Sequence, residues 1–117
     1  MEPFQVHAIV QVTALLLLLF GIYYARKHDR RVHHYFVYSA VGLLTAGVAY
    51  MLYTVVGVPS AHGRFGLFVY AYVLFAAASG RLFWGRKLTR NTHKMIALSA
   101  VLLLFLQILA ALYLYVL

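Results

Sequence analysis

Four apolar runs, at about 6–25, 35–57, 63–84 and 95–117, fill most of a 117-residue chain and leave only short breaks between them. Each is about 20 residues, the length that carries an α-helix across the hydrocarbon core of a bilayer. A globule this small could not hide so much apolar surface from water. Of the residues, 65% are apolar and only 10% charged, against about 25% charged in an ordinary soluble domain. Lipid can cover that surface. The expected fold is all-α, an integral membrane four-helix bundle of up-down-up-down topology. It forms one domain over 1–117, with no soluble domain beside it.

The breaks carry the topology. Arg26-Lys27-His28-Asp29-Arg30-Arg31 separates the first two runs, a turn-like Gly57-Val58-Pro59-Ser60 the next two, and Arg86-Lys87-Leu88-Thr89-Arg90-Asn91-Thr92 the last two. Asn91 or Thr92 is the expected cap of the last helix. Loops this short join antiparallel neighbours, so the first and third loops lie on one side. Those loops and their flanks hold Arg26, Lys27, Arg30, Arg31, Arg81, Arg86, Lys87, Arg90 and Lys94, while only Arg64 lies near the second loop. The bias puts loops one and three in the cytoplasm and both termini outside, in a multi-pass protein of the cell membrane. It also accounts for a net charge of +8, which in a soluble chain would point to nucleic acid. No nucleic-acid partner is expected. The first run lacks a basic segment ahead of it and a small-residue cleavage site, so it reads as a retained helix. With no cysteine in the sequence, disulfides and thiolate metal sites are excluded and the redox compartment stays open.

Every expected helix has a histidine close to its start: His7, His33 or His34, His62 and His93. In an antiparallel bundle the helix starts alternate between the two membrane faces. His7 and His62 therefore belong to an outer layer, and His33 (or His34) and His93 to a cytoplasmic one. Helices one and three are diagonal in a simple up-and-down bundle, as are two and four. Each layer thus offers two imidazoles facing across the axis, the arrangement an iron with two axial ligands needs. His28, in the basic loop, is read as inert.

A haem is a wide plate, and helices passing it need small side chains. Along the face of His62 the helical count gives Gly66, Val69, Val73, Ala76 and Gly80; from His7 it gives Gln11, Ala14, Leu18, Gly21 and Ala25. From His93 it gives Ala97, Ala100, Leu104, Gln107 and Ala111. Bulky Phe65, Phe68, Tyr72 and Phe75 fall off the His62 stripe, where lipid would receive them. Small residues recur 14 and 18 positions on, roughly 21–27 Å along the axis, at the depth of the opposite histidine layer. Gly21, Ala25, Ala76 and Gly80 would leave room for an inner haem, and Gly47 and Ala111 for an outer one. Small stripes also serve tight helix packing in lipid, but that role does not require registration with histidines on the far side. The His33 face carries Val37, Ala40, Leu44, Gly47 and Met51, and the His34 face Tyr38, Val41, Thr45, Val48 and Leu52. His33 is the favoured ligand, with His34 as its substitute.

Iron with an imidazole on both axial positions has no open site for oxygen or peroxide, and what remains to it is electron exchange. Two such irons stacked across a bilayer carry electrons through it. The partial positive charge at helix starts disfavours imidazolium and attracts anionic propionates. Arg64 near the outer pair, and Arg31 or Lys94 near the inner pair, are propionate partners on this reading and snorkelling topology residues on the other. Only Glu2 and Asp29 are acidic, both outside the spans, so no buried carboxylate relay is available for protons or cations. A zinc site in the outer layer would need ligands beyond His7 and His62. No nucleotide-binding glycine loop or catalytic triad is visible.

With these residues the chain resembles the cytochrome b561 family. The resemblance runs over essentially the whole chain and is most specific in His62-Gly63-Arg64-Phe65-Gly66, with Gly80 later in the same helix. It implies a four-helix core holding two haems b, one between helices one and three (His7, His62) and one between two and four (His33, His93). Ala97 stands where the family has glycine after the fourth-helix histidine, the stretch from His7 to His33 is short, and the flanking helices of animal and plant members are absent. Ascorbate specificity is therefore not carried over. The donor and acceptor are an unspecified small reductant, quinone or redox protein, and a transmembrane oxidoreductase activity of the b561 type stays open. A homodimer through lipid-facing aromatics is compatible with the sequence. The alternative reading is a haem-poor or haem-free assembly or anchor subunit of a membrane respiratory complex.

Overall fold

A computed structural model of the chain describes residues 3–54, 61–84 and 89–115, with side chains for 4–54, 61–80 and 89–114. It is all-helical: α1 (Pro3–Arg26), α2 (Arg30–Thr54), α3 (Ala61–Trp84) and α4 (Arg90–Tyr115). The helices are 24, 25, 24 and 26 residues long, or about 36–39 Å at 1.5 Å per residue. All four are long and apolar enough to cross a membrane. The turn expected at Gly57-Val58-Pro59-Ser60, the end of the second run at 55–57, Glu2, Arg86, Lys87, Leu88 and residues 116–117 lie outside the described residues. So does the side chain of Arg81.

Helices α1 and α2 form one compact hairpin, and α3 and α4 a second. The first turn shows why. His28 adopts φ 60°, its N–H donates to Ala25 O at 3.0 Å, and Asp29 N–H donates to Tyr24 O at 3.0 Å. That pair of bonds is the Schellman ending, with His28 in the left-handed position usually given to glycine. The next residue starts the next helix, because Asp29 Oδ1 accepts the Val32 N–H at 3.2 Å and so caps α2. His28, read from sequence as inert, is thus the residue that reverses the chain.

Two boundary expectations need correction. Helix α2 starts at Arg30 rather than about 35, and α4 at Arg90 rather than about 95. Hydropathy marks where lipid contact begins, whereas the backbone starts its helix at the cap, inside the charged segment. The cap of α4 is Thr89, not Asn91 or Thr92. Thr92 N–H donates to Thr89 Oγ1 at 3.1 Å, and Asn91 and Thr92 already lie in the first turn.

Within the first hairpin the buried apolar residues are Ala14, Leu15 and Leu18 of α1 and Ala40 and Leu44 of α2. Within the second they are Val69, Val73 and Ala76 of α3 and Ala100 and Leu104 of α4. All but Leu15 lie on the four histidine stripes. The buried faces therefore follow the 3.6-residue period from each histidine. Phe65, Phe68 and Phe75 are exposed as expected. Tyr72 is not: it is half-buried, with its hydroxyl 2.7 Å from Ser99 Oγ. Ser99 gives its own proton to Ile96 O at 2.9 Å, so Tyr72 is the donor to Ser99. A phenol in a lipid-spanning segment needs a partner, and this one finds it on α4.

Candidate metal-ligand histidines

In the first hairpin His7 and His33 each reach the backbone of the other helix. His7 Nδ1 lies 3.1 Å from Gly47 O, and His33 Nδ1 lies 2.7 Å from Gly21 O. A carbonyl can only accept, so Nδ1 carries the proton in both rings. In neutral imidazole the lone pair then sits on Nε2. Gly21 is 14 residues beyond His7, about 21 Å along α1, yet level with His33. Gly47 stands in the same relation to His33 and is level with His7. The registration of small residues with the far histidine therefore exists within this hairpin, and what each glycine meets is a side chain of the neighbouring helix. A Cβ on Gly21 would lie 3.2 Å from Val37 Cγ2, and one on Gly47 would lie 3.0 Å from Gln11 Nε2.

The second hairpin repeats the plan with side-chain partners. His93 Nδ1 lies 2.7 Å from Ser79 Oγ. Ser79 has a single hydroxyl proton, and it goes to Ala76 O at 2.6 Å. Toward His93 the serine oxygen must accept, so His93 also carries its proton on Nδ1. Beside it, a Cβ on Gly80 would stand 3.2 Å from His93 Cε1.

At His62 the neighbour is Gln107. Its amide nitrogen donates to His62 O at 2.8 Å and lies 2.9 Å from Nδ1 and 3.4 Å from Nε2. A donor in line with one ring lone pair stands far from the other nitrogen, so this near-equal approach places the amide over the ring face. The contact is of the weak N–H···π kind and leaves the His62 tautomer to other groups. Gly66 makes room for it, since a Cβ there would come within 2.8 Å of Gln107 Nε2.

His34 sits on the outward stripe, tilted against Tyr38 at 5.7 Å between ring centroids, with Tyr38 and Leu52 of that stripe exposed. His33, by contrast, shares its face with buried Ala40, Leu44 and Gly47. Arg31, Arg64 and Lys94 are all exposed, each within two residues of a candidate histidine. Among the described residues, no group of three or more His, Cys, Asp or Glu could hold a metal ion.

Three polar side chains beside the histidines had no role in the sequence reading. Gln11 and Gln107 lie on the His7 and His93 stripes, and a carboxamide inside an apolar span is a visible signal. Ser79 gives none, because serines in membrane helices commonly bond back to their own backbone, as this one does. Gln11 is 8% exposed, and its Oε1 is buried without a hydrogen-bond partner among the described residues.

Comparison with protein-family models, with characterised proteins and with solved structures returned no match. The functional reading therefore rests on the residues themselves.

Proposed function

We propose that this chain is a dihaem b transmembrane electron carrier with two histidines on each iron. His7 and His62 hold an outer haem, and His33 and His93 hold one on the cytoplasmic side. The reading needs the two hairpins to close into one up-down-up-down bundle, with both termini outside and helices one and three diagonal. Short loops and the distribution of Lys and Arg favour that arrangement.

The observation that carries the proposal is the state of the imidazoles. His7, His33 and His93 each give their Nδ1 proton to an acceptor on the neighbouring helix. Metal-ligating histidines are commonly oriented in this way, with the other nitrogen presented to the metal. The donor set fits haem iron, which takes neutral imidazole nitrogen. Haem bound there would supply one-electron exchange at an iron with no open coordination position. The chain's own contribution is to hold the His7, His33 and His93 rings by Nδ1, beside Gly47, Gly21 and Gly80 respectively, and to keep water away with the apolar stripes. Arg64 is the cation for the outer propionates, and Arg31 or Lys94 for the inner ones.

Membership of the cytochrome b561 family is part of the proposal, supported by His62-Gly63-Arg64-Phe65-Gly66 and Gly80. The donor and acceptor are a small reductant, a quinone or a redox protein.

A pyridine haemochrome assay on detergent-purified protein tests the reading, with about two haems b per chain expected. His7→Ala and His62→Ala should each remove the same haem, and His33→Ala and His93→Ala the other, while His34→Ala keeps both. Folded protein that binds no haem when haem is plentiful would refute the carrier reading and favour an assembly or anchor subunit.

A further inference from the structure

His93 is held by the hydroxyl of a fully buried side chain. Ser79 is 0% exposed, one residue from Gly80, whose missing side chain admits the His93 ring. Its oxygen joins His93 Nδ1 at 2.7 Å to Ala76 O at 2.6 Å, forming a directed chain from imidazole N–H to hydroxyl to backbone carbonyl. In such a chain each hydrogen bond polarises the next. The serine oxygen, having given its proton away, is a better acceptor for the imidazole N–H. An imidazole that donates strongly through Nδ1 is a more basic ligand through Nε2, and groups that act in this way tune the metal.

We infer that Ser79 is a positioning residue for His93: it holds the ring in the Nδ1–H tautomer and lowers the reduction potential of the iron that His93 ligates. The inference rests on the haem reading above for its second half, and on the hairpin geometry alone for its first. A more basic ligand stabilises ferric over ferrous iron, so removing the hydroxyl raises the potential. The haem ligated by His93 is the one that responds, because His93 is the candidate ligand to which the serine is hydrogen-bonded.

The test uses the full chain in three forms: wild type, Ser79→Ala and Ser79→Thr. Histidine nitrogen chemical shifts of the apoprotein should show His93 protonated on Nδ1 in the wild type and the threonine variant. In Ser79→Ala the proton should move wholly or partly to Nε2. Redox titration of the haem-loaded proteins should show one of two midpoints raised in Ser79→Ala and restored toward wild type in Ser79→Thr. The second midpoint should stay unchanged in all three and so report that the fold is intact. Loss of one haem from the alanine variant alone, with the threonine variant retaining both, would support the same role. Two haems with unshifted midpoints in Ser79→Ala would overturn the inference and leave the haem reading standing, whereas wild-type His93 protonated on Nε2 would overturn the inference and remove His93 from the support for that reading. A folded wild-type chain without haem would overturn the haem reading and the tuning role with it.

Discussion

Glycine and carboxamide act together at single positions in this protein. Gly66 is open enough for the Gln107 amide to reach the His62 carbonyl, and a Cβ there would fall 2.8 Å from the amide nitrogen. The obstructed atom is the far end of a flexible side chain, so Gly66→Ala should displace Gln107 rather than part the helices. A double-mutant cycle makes this measurable. In denaturant titrations in detergent, Gly66→Ala should cost on the order of 1 kcal/mol in the wild type, within the usual range for overpacking. It should cost clearly less when Gln107 is already alanine, because residues in contact couple. Equal costs in the two backgrounds would show that Gln107 does not occupy that space. Gly80 differs, since its neighbour is an imidazole fixed at its other edge by Ser79. Gly80→Ala should therefore shift the His93 nitrogen resonances, and unchanged resonances would contradict the packing described here.

At the scale of the helices, stability at the ends rests on a few polar atoms in the loop between α1 and α2 and ahead of α4. Asp29 caps α2 and Thr89 caps α4, and each replacement by alanine should cost about 1 kcal/mol in unfolding free energy. His28 works in the opposite sense. A residue with a Cβ in the left-handed region carries a penalty of roughly 1–2 kcal/mol, so His28→Gly should stabilise the first hairpin, as a rise in the detergent unfolding midpoint. A fall would mean that the ring supplies more through its own interactions than the backbone loses.

For the whole molecule, direction across the bilayer can be read by cysteine labelling, because the sequence contains no cysteine of its own. Single cysteines placed at Lys27 and Asn91 should react with a membrane-impermeant maleimide only after the cytoplasmic face is opened. One placed at Gln5 should react in intact cells. The reverse pattern would invert the assignment of outer and inner haem while leaving the ligand pairs as they are. Reaction of all three from one side would exclude the up-down-up-down path.

The sequence by itself determined that the chain forms four helices long and apolar enough to span a bilayer and which stripe of each is covered. In lipid every backbone N–H and C=O must be satisfied within the segment, which leaves the helix as the form a single apolar run can take. A face then follows from the 3.6-residue period: the stripes counted from His7, His33, His62 and His93 are the ones that carry the buried residues, and on α2 it is His33 that shares its stripe with buried Ala40, Leu44 and Gly47. Tertiary structure alone decided what each imidazole meets. That depends on the axial register and rotation of two helices, set by the three-residue turn at Lys27–Asp29 in the first hairpin and by packing in the second. Neither is written in the periodicity of one helix. Hence the Gly47 and Gly21 carbonyls, the Gln107 amide and above all Ser79 became partners only when the hairpins were seen folded.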